Sequence, residues 1–205
     1  LPEFKRTVLE VMRQPMEDRV VTISRARTTV DYPASFMLVA AMNPCPCGYY
    51  NHPDKDCVCS PGNVKNYLNK ISGPLMDRID LHIEVTPVAF DDLSTKSSGE
   101  SSDKIRPRVI LARNIQKDRF EKAGNIYCNS QMSSKDIANY CMLNSNGQTL
   151  LKLAMEKLNL SARAYDRIIK VSRTIADLDA SHDIKNDHLA EAIQYRSLDR
   201  DNWGS

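Results

Sequence analysis

The chain contains no run of about eighteen consecutive apolar residues, which excludes a hydrophobic membrane-spanning helix of ordinary length. No positively charged stretch precedes an apolar one near its start, so no secretory leader is expected and the reading is a cytoplasmic protein. There is little excess of either charge: the formal net charge is +2, so attraction to nucleic acid must come from a local basic patch rather than from the whole molecule. No internal repeat is present. Nor does the sequence hold G-x-x-x-x-G-K-[ST], the loop whose backbone N–H groups cradle nucleotide phosphates. It begins LPEF, without an initiating Met, and a piece of a longer protein is expected.

What is present is uneven. The 205 residues suffice for one large domain or two small ones with an apolar core that needs no covalent staples. Yet four of the six cysteines fall within NPCPCGYYNHPDKDCVCSPG, as the pairs Cys45/Cys47 and Cys57/Cys59. In a reducing compartment such pairs point to metal before disulfides. Four thiolates satisfy the tetrahedral preference of Zn2+, and two short Cys-x-Cys turns supply two ligands each. Four free thiols on a surface loop, or disulfides, are the competing readings, and His52 is a candidate replacement for one cysteine. If all four sulfurs bind, the site is closed and structural, with no open position for catalysis. Cys128 and Cys141 stand apart and are expected to be buried apolar thiols.

Phe4, Val8, Leu9 and Met12 recur at helical spacing and predict a helix over 3–14. The β-branched runs at 20–23 and 28–32 flank Ser24-Arg25-Ala26-Arg27 and predict a hairpin with a basic tip. Arg25 and Arg27 there would meet phosphates without reading base sequence; a solvated basic turn is the simpler alternative. Residues 36–42, FMLVAAM, are continuously apolar, as in a strand buried on both faces of a parallel sheet, and 80–85 alternates as a strand. A helix is expected at about 61–71. Residues 91–103 are Ser-rich and mark a linker between 1–90 and 104–198. Beyond it the chain reads as all-helical. Ile105, Val109, Ala112, Ile115 and Phe120 form one stripe, and Leu150, Leu151, Ala154 and Leu158 another. Ser133 with Asp136 suggests a capping box, and Ser161 caps a long helix whose apolar face runs from Tyr165 to Ala176.

Three separated stretches, AAMNP, GPLMDRIDLHIEV and LSARAYDRIIKVSRTIADL, follow one another in an order that resembles the AAA+ ATPases. Within them, the resemblance is to the magnesium-chelatase-like ComM/YifB family, from the first residue to about Arg196. It implies an α/β partial AAA+ core, made of buried parallel-type strands plus the hairpin and carrying the Cys-rich loop 44–61, then an all-α helical lid of the magnesium-chelatase C-terminal type. LPEF resembles the residues that follow the Walker B acidic pair. ATP and Mg2+ would then be cofactors of the full-length protein only, and this chain would not hydrolyse ATP alone.

By the same resemblance Asn43 matches sensor 1, which orients the attacking water near the γ-phosphate. Arg78 matches the arginine finger that enters a neighbouring subunit's site, and Arg163 matches sensor 2 on the lid. Each has a simpler local role: Asn43 ending a strand before Pro44, Arg78 pairing with Asp77 or Asp80, Arg163 pairing with Asp166. Residues 20–32 match the hairpin that projects toward the pore of a ring, which makes Arg25 and Arg27 candidate DNA contacts. The implied partners are neighbouring subunits of a homo-oligomeric ring, hexameric when complete, and DNA, with no membrane. Two other functions stay open: a magnesium chelatase motor driving metal insertion into a porphyrin, and a non-enzymatic zinc-containing DNA-binding or adaptor module. In an AAA+ sheet the strands at 36–42 and 80–85 flank a strand from upstream, so their edges are expected to lack partners here.

Overall fold

A computed structural model describes residues 1–85, 99–124 and 126–196. They group into two compact units, Leu1–Ile79 and Asp80–Ser197. Most of the expected linker, residues 91–98, lies outside the described residues. Among the described residues no helix is long and apolar enough to cross a membrane.

In the first unit the single helix expected over 3–14 is two, α1 (Arg6–Val11) and α2 (Arg13–Asp18). Pro15 is the reason. It has no N–H to offer the Val11 carbonyl, so the ladder breaks at Met12 and resumes when the Met16 N–H donates to Met12 O at 3.2 Å. Arg19 ends α2 in the left-handed region (φ 58°), its N–H returning to Pro15 O at 3.0 Å. The chain then enters the hairpin of β1 (Val20–Arg25) and β2 (Thr28–Pro33), antiparallel, with Ile23 opposite Val30 and Arg25 opposite Thr28. The turn is therefore only Ala26-Arg27, tighter than the sequence suggests. One face is polar, Thr22 Oγ1 donating to Asp31 Oδ1 at 2.6 Å and Ser24 Oγ lying 3.0 Å from Thr29 Oγ1. The other carries Val21, Ile23, Val30 and Tyr32, all exposed.

Two short helices complete this unit. α3 (Pro61–Leu68) starts on Pro61, with Ser60 Oγ accepting the Asn63 N–H, and α4 (Gly73–Met76) follows. Leu9 of α1 packs with Ile71, Leu75 and Met76, while Val64, Tyr67 and Leu68 of α3 pack on Cys45; Met42 touches both clusters.

The buried parallel-type strands are not formed. Among the described residues the one ladder is β1 with β2. Residues 36–42 are not a strand, and Phe36, Met37 and Val39 are 50%, 86% and 82% exposed. A strand buried on both faces needs a hydrogen-bonding neighbour and a cover for each face, and among the described residues no strand beyond the β1–β2 hairpin is present to supply them. Residues 80–85 are not a strand either, and burial does not alternate along them. His82 is buried with its backbone N–H donating to Tyr195 O at 2.8 Å, whereas Leu81, Ile83 and Val85 face solvent.

The second unit is helical: α5 (Ser102–Phe120), a 3-10 turn at Asn129–Gln131, α6 (Ser134–Tyr140), α7 (Ser145–Lys157), α8 (Ala162–Leu178) and α9 (Asn186–Gln194). The capping box is present, Asp136 N–H donating to Ser133 Oγ at 3.3 Å and Ser133 N–H to Asp136 Oδ2 at 2.8 Å. α8 is the spine: Ile168, Ile169 and Ala176 meet Leu151, Leu189, Ala192, Ile137 and Phe120. Tyr165, expected on that buried face, is exposed. In α5 the expected stripe holds only in the C-terminal half, where Ala112, Gln116 and Phe120 are buried; Ile105 and Val109 are exposed.

Ser161 Oγ accepts the Ala164 N–H at 3.2 Å, as expected of the N-cap of α8. Ser161→Ala is expected to lose about 1 kcal/mol of unfolding free energy. A urea midpoint that does not move would show that another group takes over that N–H.

Candidate functional site

The cysteine loop is built by tight turns. Gly48 adopts φ +84°, which a side chain resists, and its N–H closes a turn onto Cys45 O at 3.1 Å, carrying the chain from Cys45 past Cys47. Asn51 makes a second left-handed step, φ 58°. The excursion between the cysteine pairs folds on its own side chains: the Tyr49 and His52 rings meet edge-on at 5.6 Å, and Lys55 Nζ lies 4.9 Å from the Tyr49 ring centre. The return brings Cys57 and Cys59 back, and Ser60 starts α3 at once.

The four Sγ atoms of Cys45, Cys47, Cys57 and Cys59 all lie within 4.8 Å of one another. Cys45 is 3.3 Å from Cys47 and 3.7 Å from Cys57, and Cys47 is 3.6 Å from Cys57. These are not disulfides; a sulfur–sulfur bond measures about 2.05 Å. A tetrahedral zinc with sulfurs at about 2.3 Å separates them by about 3.8 Å. The group as it stands could hold such an ion. It is the one cluster of this kind among the described residues. His52 is not part of it; its Nδ1 accepts the Asp54 N–H at 3.0 Å.

Electrostatics agree with a cation-binding set. A backbone hydrogen bond at Tyr49 draws the Cys47 thiol down to about 6, with further bonds from Cys45, Val58 and Cys59, against burial. Cys57 goes the other way, to about 12: a backbone hydrogen bond at Cys59 lowers it, but burial and hydrogen bonds with Cys47 and Cys45 prevail. Cys59 is raised on the same pattern, its backbone bond at Cys47 being outweighed by burial and the Cys47 and Cys45 sulfurs. One thiolate makes the next costly in the absence of a positive centre. Of the two remaining cysteines, Cys141 is buried and desolvation pushes it up to about 11. Cys128, expected to be buried, is partly exposed, its Sγ 3.2 Å from Ser130 Oγ.

Asn43 is exposed between Met42 and Cys45, both of which pack against Tyr67 and its neighbours. Burial and then the Glu3 carboxylate push the Tyr67 phenol above its ordinary range, opposed by a backbone hydrogen bond from Asn43. The metal-competent loop and Asn43 thus share one support, α3.

Arg78 pairs with neither Asp77 nor Asp80. It is 8% exposed, Nη1 donates to Pro74 O at 2.6 Å, and Nη2 is ion-paired with Glu17. Asp80 instead accepts from Arg167 at 2.6 Å. Arg163 is exposed on the first turn of α8. Arg25 closes β1 and Arg27 lies in the turn, both exposed.

Sequence reading missed a buried charge network in the helical unit. The Asp177 carboxylate, fully buried, receives Arg119 Nη1 at 2.8 Å and Nη2 at 2.5 Å, Arg173 Nε at 3.1 Å and Asn129 Nδ2 at 2.8 Å. Arg173 also donates to Ser181 O at 2.6 Å and His182 O at 2.7 Å, satisfying carbonyls just past the end of α8. The available signal was an Arg and an Asp four residues apart, beside the apolar stripe of α8.

Residues 1–93 match the family described as magnesium chelatase, subunit ChlI, and residues 99–196 match the ChlI C-terminal family. The chain is similar to Competence protein ComM of Haemophilus influenzae, 46% identical over 201 residues, 98% of this chain and 38% of the relative. It is 42% identical to the uncharacterized protein YifB of Escherichia coli over 204 residues, again 98% and 38%. With the uncharacterized protein Rv2897c of Mycobacterium tuberculosis the figure is 33% over 194 residues, 95% of this chain and 38% of that one. The chain spans about 38% of the length of these curated relatives.

Proposed function

The chain belongs to the magnesium chelatase ChlI family, and from that premise we propose that it is the sensor and lid portion of an AAA+ ATP-hydrolysing ring motor that acts on DNA. Residues 1–90 serve as the C-terminal part of the ATPase core and 104–198 as the helical lid, joined through 91–103. Asn43 orients the attacking water. Arg78 of one subunit neutralises charge developing on phosphate in the next, and Arg163 reports nucleotide state through the lid. ATP and Mg2+ act in the full-length protein, since this chain carries no phosphate loop. Zn2+ held by Cys45, Cys47, Cys57 and Cys59 closes the loop that follows Asn43 and takes no part in the chemistry.

The observation that carries the DNA reading is the hairpin, whose two-residue turn leaves Arg25 and Arg27 exposed and able to follow a phosphate backbone. The Haemophilus relative's name, Competence protein, supports it. The family description favours a second reading, an ATP-driven motor for inserting metal into a porphyrin.

DNA affinity and DNA-stimulated ATPase of the full-length protein separate the two. Arg25→Ala/Arg27→Ala is expected to weaken binding uniformly across sequences and flatten the salt dependence by roughly two contacts. If branched and single-stranded DNA leave wild-type turnover unchanged at low salt, the translocase reading fails and the chelatase reading gains.

A further inference from the structure

An arginine that acts on a neighbouring subunit's phosphate must present its Nη atoms to it. Arg78 presents neither. Pro74 O occupies Nη1, Glu17 occupies Nη2, and the side chain is 8% exposed. Glu17 is not placed at random: it sits on the last turn of α2, two residues before Arg19, where the chain turns into β1. The Ala34 N–H closes the hairpin base onto Arg19 O at 2.7 Å. From that base the paired strands run roughly 20 Å to Arg25 and Arg27.

We infer that Glu17 is a positioning residue that holds Arg78 withdrawn and links its release to what the hairpin tip binds. The inference rests on the proposed roles of Arg78 and of the hairpin. Force or ordering at Arg25 and Arg27 reaches Arg19 through a paired ribbon, and a small rotation of α2 takes the Glu17 carboxylate away from Nη2. The guanidinium then keeps a single carbonyl partner and is free to swing. Nucleic acid bound at one end of the hairpin thereby controls whether the arginine is available at the other.

The test is steady-state ATPase of the full-length protein, with and without a single-stranded oligonucleotide, for wild type, Glu17→Gln, Glu17→Asp and Arg78→Ala. Freeing a minor state should raise Glu17→Gln turnover without DNA about tenfold and bring DNA stimulation below about twofold, with KM for ATP unchanged. Glu17→Asp, which keeps the carboxylate, should restore DNA dependence. Glu17→Gln/Arg78→Ala should be as slow as Arg78→Ala alone. Wild-type basal rate and full stimulation in Glu17→Gln overturn the inference, as does an equal loss of both rates. Arg78→Ala with normal turnover instead removes the role of Arg78 on which the inference rests. If DNA does not stimulate the wild type, the DNA reading fails by itself, and the basal rate of Glu17→Gln decides the latch.

Discussion

Asp177→Ala is expected to destabilise the helical unit by about 3–5 kcal/mol, because it leaves two guanidinium groups buried without a counter-charge. Arg173 has a side chain 3% exposed and Arg119 one 13% exposed, so neither turns to water without opening the core. Four hydrogen bonds converge on the carboxylate, and three reach it from outside α8: two from Arg119 of α5 and one from Asn129 of the 3-10 turn. Their loss also detaches the Ser181–His182 loop, since Arg173 holds it only while its own position is fixed by Asp177. Whole-domain stability is typically about 5–15 kcal/mol, so the variant should lose a large share of it. Thermal unfolding followed by circular dichroism is expected to shift down by more than about 10 °C. Asp177→Asn keeps the shape and should lose less. A midpoint within about 3 °C of wild type for Asp177→Ala would show that water compensates the arginines. Replacing Arg119, Arg173 and Asp177 together with apolar residues of like volume should recover part of the loss, because an absent charge needs no partner, while Asn129 and the Ser181 and His182 carbonyls still lose theirs.

The second large effect concerns the cysteine cluster. Cys57→Ser/Cys59→Ser removes half of the ligand set, and elemental analysis should fall from about one zinc per chain to background. The loop between Asn43 and α3 should lose order with it, since Cys45, Cys57 and Cys59 pack on Val64, Tyr67 and Leu68. Amide exchange should accelerate over residues 45–60 and leave the helical unit unchanged. Binding should also release protons. Cys57 and Cys59, raised above the ordinary thiol value, must give theirs up, so affinity strengthens as pH rises and the ion leaves as pH falls. Purified wild-type chain without metal, or variant chain with undiminished metal and loop order, would sink the zinc assignment.

How much of this could be read from the residues depends on the range of the interaction. Ser133 and Ser161 act within one helical turn, and the local pattern located them. The hairpin, set by two β-branched runs around a short tip, was equally legible. Residues 36–42 were not, because their composition reports only that they are apolar; whether they form a strand depends on distant neighbours. Residues 80–85 show the same limit: polar and apolar residues alternate in the sequence, but no strand forms and His82 alone of 81–85 is buried. The four cysteines were visible as two pairs, yet only the folded loop shows that they converge while His52 turns to Asp54. The pair Glu17 and Arg78 is separated by 61 positions, and nothing in either neighbourhood announces it.

The exposed segment at 36–42 has a colloidal consequence. These seven residues carry no charge, glycine or proline, and five of them are exposed, Met37 and Val39 more than four-fifths uncovered. Self-association through such a stretch proceeds by cross-strand stacking, which adding salt to screen surface charges encourages rather than prevents. With a net charge of only +2 the chain has little long-range repulsion to oppose it. Met37→Lys or Val39→Lys, which puts a charge into this uncharged run, is therefore expected to raise the solubility of the chain.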